Sequence, residues 1–257
     1  KKHKILKNYS EKKNMIFMST PFSYEAAKIL NALKVKVFKI GSGECNNLHL
    51  IEKVTKFNKP TIISTGMNSI EDIKKSFRHA KKFNSNIILM HCVSIYPTPP
   101  NKTMLETIPL LKKKFNCPVG FSDHSNDINL AIASVSLGAN VIEKHFTVSN
   151  SWSGPDISIS LTPDKFKEMV KACKEVHLAK GARNKILKEE IPVTKFAFAS
   201  VVSTKQIKKG ELITNKNIWV KRPGTGQIHA REYYKILNKK AKKNIDINKQ
   251  IKYSDIK

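Results

Sequence analysis

Two histidines and the residues beside them define the chemistry open to this chain. Gly120-Phe-Ser-Asp-His124 and Glu143-Lys-His145-Phe-Thr147 each follow a short apolar run and break abruptly into polar side chains. His124 and His145 lie about one strand-plus-helix unit apart, so a fold that aligns strand ends brings both imidazoles to one mouth. A lone histidine near a core is most often just a hydrogen-bonded core residue. Two at successive strand ends can begin a divalent metal site, and imidazole suits Mn, Zn, Fe or Co. Two ligands leave positions open for water or substrate, with Asp123 or Glu143 as supporting or purely structural groups.

A second set points to an anion. Lys39, Ser42, Ser64 and Ser122 fall at expected strand ends, with Thr20 at another. Lysine and hydroxyls, with the backbones of Gly41 and Gly66, are what a phosphate or carboxylate needs. The competing reading is that Ser and Thr only cap the following helices. Tyr96-Pro-Thr-Pro-Pro100 is a stiff loop whose tyrosine could wall a small polar ligand. Gly154-Pro-Asp156 is a turn that would bring Asp156 over the mouth. Lys221-Arg-Pro-Gly224 presents Arg222 on a rigid turn. Taken blandly, these are a surface loop, a turn and a solvated cation.

The elements that must position these groups alternate. Short apolar runs at Met15–Met18, Val35–Phe38, Pro60–Ile63, Ile87–Met90, Pro118–Phe121 and Val141–Ile142 predict six strands. Helical patterns separate them, at residues 1–14, 24–33, 47–57 and after Asn68-Ser69, where Glu71 and Asp72 suit a first turn. Continuous apolar strands of this kind are buried on both faces, as in a parallel sheet. Every polar cluster sits at the C-terminal end of its strand, the active-site face of a (β/α)8 TIM barrel and also of doubly wound sheets. No GxGxxG follows the first strand, which favours the barrel. A closed barrel needs eight strands. The expectation is therefore an α/β barrel lacking its first two strand–helix units, which would lie upstream of residue 1. The alternative is a six-stranded open sheet.

A last outer helix is expected over 162–180. Residues 1–181 then form the barrel domain and 182–194 a charged linker. Residues 195–257 form a small mixed domain, with strands at 198–202, 212–213 and 218–220 and a helix from Arg231 to Lys243.

The bulk composition narrows the class. The chain has 257 residues, 40% hydrophobic and 26% charged, ordinary for a globular protein. Its net charge is +27. The lysines are dispersed rather than gathered into a basic block, and aromatics are 8% of residues. A nucleic-acid surface would cluster basic and aromatic side chains on one face. Solvated lysine faces that attract anions generally are the simpler reading. The four cysteines form no CxxC pair and read as reduced thiols, mostly core filler. No apolar run approaches the roughly 20 residues of a membrane span, and no signal-type run follows the N-terminus. A soluble cytoplasmic protein is expected, with neither membrane nor nucleic acid as a partner.

Together, Ser19-Thr-Pro-Phe, Lys39-Ile-Gly-Ser-Gly-Glu44, Ser64-Thr-Gly-Met67, His91-Cys-Val-Ser-Ile-Tyr-Pro-Thr-Pro99, Phe121-Ser-Asp-His124, Glu143-Lys-His-Phe-Thr147, Gly154-Pro-Asp156 and Val220-Lys-Arg-Pro-Gly224 resemble the N-acetylneuraminate (sialic acid) synthase family. That family includes the legionaminic and pseudaminic acid synthases. Phe196-Ala-Phe-Ala-Ser-Val-Val202 and Ile207-Lys-Lys-Gly-Glu211 look like the start of its C-terminal antifreeze-like (SAF) domain. The resemblance implies a TIM barrel plus SAF domain in a domain-swapped homodimer. It implies condensation of phosphoenolpyruvate with N-acetylmannosamine, or a related 2-acetamido hexose, to a nonulosonic acid and phosphate. Carried over by motif, His124 and His145 would bind Mn²⁺, with Mg²⁺ or Co²⁺ possible substitutes. Thr20, Lys39, Ser42, Ser64 and Ser122 would hold phosphoenolpyruvate, with Lys39 catalytic beside the two histidines. Glu44, Tyr96 and Asp156 would contact the sugar. Arg222 and Phe196 would reach into the partner's active site.

Two departures matter. The family places an essential glutamate and a further phosphate-binding lysine upstream of residue 1, so without them the chain would be an inactive remnant. Ser94 stands where some relatives carry asparagine beside the sugar.

Overall fold

The computed structural model describes residues 2–257. The chain divides into two compact units, Lys1–Gly181 and Ala182–Lys257. The first unit opens with helix α1 (Lys2–Lys12) and α2 (Tyr24–Ala32), followed by β1 (Phe38–Ile40), α3 (Leu48–Thr55), β2 (Thr61–Ser64), α4 (Ile70–Lys81) and β3 (Ile87–Cys92). It continues through α5 (Thr107–Phe115), β4 (Val119–Asp123), α6 (Asn129–Ser136), β5 (Val141–Lys144) and α7 (Pro163–Ala179).

All five strands are parallel, and their order across the sheet is their order in the chain. A doubly wound sheet reverses order at a switch point. None occurs here, so the sheet is a half-barrel wrapped by helices. Burial follows position. Every residue of β2 and β4 is buried, whereas β5, at an edge, is only half-buried throughout. β4 packs close to β5 through Gly120, where an added Cβ would stand 2.8 Å from the Val141 carbonyl oxygen. The core joins Phe38, Ile40, Ile63, Leu89 and Phe121 of the strands to Leu30, Ile51, Ile73 and Leu111 of the helices.

Side-chain caps set where the helices start. The Ser23 hydroxyl accepts from the Ala26 N–H, Asn47 from Leu50, and Ser69 from Asp72. Each cap sits three residues ahead of its donor, which satisfies one of the free N–H groups of a first turn.

The expected strand at Met15–Met18 does not form. Met15 and Ile16 are exposed, and only Phe17 packs onto the core. The segment finds no ladder partner, and an apolar run without one is not a strand. The sheet therefore has five strands where the pattern predicts six. A rudiment of a further strand lies at the other edge, a parallel bridge between Phe146 and Leu161.

The second unit holds α8 (Ile191–Ala197), β6 (Ser200–Ser203), β7 (Ile218–Lys221) and α9 (Tyr233–Ile236). β6 and β7 pair antiparallel over a core of Val201, Ile207, Ile213, Ile218, Ile236 and Ile251. α8 spans the end of the residues read as linker and the first three read as the small domain. The helix expected over Arg231–Lys243 is cut to α9 and one preceding turn. Asn238 adopts a left-handed backbone (φ 64°) just beyond it, and Lys240 and Ala241 then bridge to Leu212 and Ile256. Leu212 makes only that isolated bridge, not a strand.

Candidate active site

The polar side chains gather where the strands end. Ser64 and Cys92 are the last residues of β2 and β3, Ser122 is the last but one of β4, and His124 and His145 immediately follow β4 and β5. With Lys39 of β1, the Ser42 turn and Tyr96, they line one cavity of about 430 Å³. Thr20 lies instead in an adjoining cavity of about 400 Å³, with Met18 and Ser19. Lys39, Glu143 and His145 line both.

The two imidazoles stand edge to face with ring centroids 5.3 Å apart. His124 Nδ1 is 2.9 Å from the Val93 carbonyl oxygen. A carbonyl only accepts, so Nδ1 carries a proton, and in the neutral ring Nε2 keeps its lone pair. That is the anchoring used behind metal-bound imidazoles. His145 Nδ1 lies 3.5 Å from Asp156 Oδ2. Among the described residues, no group of three or more His, Cys, Asp or Glu side chains is arranged to hold a metal. The described site offers two imidazoles, His124 and His145. His91 is different in kind. It is buried, its Nε2 is 2.7 Å from the Thr103 carbonyl oxygen, and its ring stacks on Phe121.

Electrostatics separate the two mouth histidines. Burial lowers the pKa of His145, and Asp156 partly offsets this. Burial also acts to lower His124, but hydrogen bonds to Cys92 and the Val93 carbonyl, with charge from Cys92 and Glu143, outweigh it and the net shift is upward. Cys92 Sγ lies 3.9 Å from His124 Nδ1. Burial acts to raise this thiol, yet hydrogen bonding and charge from His124, with Ser42 and Ser94, hold it below the ordinary range. Cys92 is free, as are the other three cysteines, and is buried in the core while also lining the cavity. Its place directly after His91 at a strand end was the available signal.

The hydroxyls are linked. Ser42 Oγ donates to Ser64 Oγ at 3.0 Å and accepts the Gly66 N–H at 3.1 Å. Ser122 Oγ donates to Glu143 Oε1 at 2.8 Å. Behind the histidines, Lys144 and Asp123 form an ion pair at 3.0 Å with side chains 0% and 1% exposed. Lys144 Nζ also donates to the Ser125 and Asp127 carbonyls, tying down the loop that carries His124.

Of the remaining expected residues, Asp156 touches His145 but lines neither cavity. Glu44 also lines neither, and accepts from the Asn47 amide at 2.7 Å. Phe196 and Arg222 belong to the second unit, where both are exposed. The Tyr96–Pro97 and Arg222–Pro223 bonds are cis.

Parallel strands whose ends carry lysine, hydroxyls and paired imidazoles define an enzyme of the α/β-barrel class. A model described as the NeuB family matches residues 1–185, and one for the SAF domain matches residues 198–257. The chain belongs to the NeuB family. It is 40% identical over 248 residues to N,N'-diacetyllegionaminic acid synthase of Campylobacter jejuni, covering 95% of this chain and 74% of that protein. It is 34% identical over 258 residues to a pseudaminic acid synthase of Campylobacter jejuni, covering 99% and 74%. Among solved structures, N-acetylneuraminic acid synthetase from Leptospira borgpetersenii in complex with citrate aligns with a TM-score of 0.71 and 32% identity, over 74% of this chain and 67% of that one. The chain is thus a NeuB-type enzyme. No helix among the described residues is long and apolar enough to cross a membrane.

Proposed function

We propose that this enzyme condenses phosphoenolpyruvate with N-acetylmannosamine or a related 2-acetamido hexose. The products are N-acetylneuraminate, or a related nonulosonic acid, and phosphate. The observation that carries the reading is that Lys39, Ser42, Ser64 and Ser122 share one cavity with both imidazoles.

The division of work follows from chemistry and position. Lys39 and the hydroxyls hold the phosphate and carboxylate of phosphoenolpyruvate and orient its enol face. The enol C3 bonds to the sugar aldehyde carbon as the C=O π pair moves to the aldehyde oxygen, which takes a proton and becomes a hydroxyl. A water oxygen bonds to C2 and gives up its two protons, one to that oxygen and one to the departing phosphate. The C2–O bond to phosphate breaks with its electron pair leaving on phosphate, so that C2 becomes the product's keto carbon. His124 and His145 would hold Mn²⁺ or a similar ion, whose chemistry here is to polarise the aldehyde as a Lewis acid. The His124 Nε2, which meets only Ser122 Oγ at 3.4 Å, and the nearness of the two rings fit that role. Tyr96 walls the sugar side, and Asp156 orients His145. Arg222 and Phe196 of a second copy complete the sugar pocket in a homodimer. Both are exposed on the second unit and free to do so. Relatives named for legionaminic, pseudaminic and N-acetylneuraminic acids support a hexose carrying acetamido groups.

The test is phosphate release from phosphoenolpyruvate with Mn²⁺ and a panel of mono- and diacetamido hexoses. It is run on this chain and on a version extended upstream. Turnover with one sugar, lost on chelation and in His124→Ala, is expected. No turnover in either version with any hexose would reject the reading.

A further inference from the structure

Two of the groups assigned to the substrate anion are already engaged. Lys39 Nζ lies 3.2 Å from Glu143 Oε1, and Ser122 Oγ donates to that same oxygen at 2.8 Å. One carboxylate oxygen therefore draws together a hydroxyl from β4, the strand paired with its own, and the cation from β1 at the far edge of the sheet. The pair is shielded, with side chains 16% and 33% exposed. Glu143 also lies on the wall common to both cavities. The Ser42–Ser64 pair, by contrast, carries no charge.

A carboxylate at this place opposes any anionic ligand of Lys39, because like charges repel and the lysine cannot serve both fully. It also does something useful. A half-buried lysine with no partner would swing to solvent, and ordering it again would cost binding energy.

We propose that Glu143 is a built-in counter-anion. In the empty pocket it keeps Lys39 and Ser122 converged, and a substrate oxyanion displaces it from Lys39. It is a positioning residue whose negative charge limits how tightly phosphate is retained, and so hastens release of that product. The inference rests on the anion-pocket reading given above.

The experiment is calorimetric titration of inorganic phosphate into the wild type, Glu143→Gln, Glu143→Asp and Lys39→Met, each checked for an intact thermal transition. Glutamine keeps the shape and an acceptor for Ser122 but removes the charge. It should bind phosphate about fivefold to twentyfold tighter. Aspartate keeps the charge and should stay within about threefold of wild type. Lys39→Met should bind more weakly. Unchanged or weaker binding by Glu143→Gln, with Lys39→Met still impaired, overturns the counter-anion and spares the pocket. Equal tightening by Glu143→Asp also overturns it, since space rather than charge would be the cause. No phosphate binding by the wild type, or none that depends on Lys39, rejects the anion pocket and this inference with it.

Discussion

The ring of Tyr96 stacks on the imidazole of His124, with centroids 4.2 Å apart and planes 28° from parallel. The same ring meets His145 edge-on at 6.0 Å. One tyrosine therefore fixes the pitch of both histidines. Tyr96→Phe should keep the stack and hold Mn²⁺ affinity within about threefold, because the ring contact survives. It should raise KM for the sugar if the hydroxyl touches it. Tyr96→Ala should weaken Mn²⁺ binding by about tenfold or more, because an unbraced ligand must be ordered on binding. Mn²⁺ titration followed by electron paramagnetic resonance separates the two, and equal metal affinity in both would remove Tyr96 as a brace.

The side chains of Lys144 and Asp123 are buried. Removing one partner of such a pair leaves an uncompensated charge, which costs about 3–5 kcal/mol. Lys144→Met should therefore lower Tm markedly, and adding Asp123→Asn should recover part of the loss. Chemical denaturation of the single and double variants is the check. A single variant as stable as wild type would mean that water reaches Asp123.

The cysteines should differ in reactivity. Burial, only partly offset by Ser76, pushes Cys45 up to about 11. At pH 8 about one in a thousand such thiols is ionised, so it should resist alkylation until the chain unfolds. Cys92 is held below the ordinary thiol range and should carry more thiolate at the same pH. Mass spectrometry after iodoacetamide should find Cys92 modified first, and slowed by phosphoenolpyruvate with Mn²⁺. Labelling of Cys45 ahead of Cys92 would contradict the arrangement.

Gly66 has no room for a side chain. An added Cβ would stand 2.6 Å from Ser94 Oγ, 2.9 Å from Ser42 Oγ and 3.2 Å from Cys92 Sγ. Gly66→Ala must push these groups apart, at a cost of about 1–3 kcal/mol as for other overpacked sites. KM for phosphoenolpyruvate should rise with it, by about tenfold, if the serines hold the anion. A variant with unchanged KM would place the anion elsewhere in the cavity.

Much of this was legible in the chain. Buried parallel strands announce themselves as apolar runs followed by polar rims, and Ser64, Ser122, His124 and His145 fell where that rule puts them. The helix start after Ser69 was equally local. What escaped was decided by distant partners. Met15–Met18 has the composition of a strand but nothing to pair with. Arg231–Lys243 has helical spacing, yet Ile236, Ala241 and Ile245 are drawn into a small core that Asn238 turns the chain to reach. The grip of Glu143 on Lys39 joins β1 to β5 across the sheet, and no short-range pattern records it.

The β4–β5 ladder pairs Asp123 with Lys144, so the next residues, His124 and His145, come level by construction. Their separation is read off a ruler of backbone hydrogen bonds rather than set by the loop and helix residues 125–140 between the strands. Insertions or deletions in the surface loops flanking α6 should leave that spacing untouched, whereas removal of one residue from either strand would put the two imidazoles out of step. Gene drift can therefore lengthen or shorten the outside of this molecule freely while the geometry of its mouth stays conserved by arithmetic.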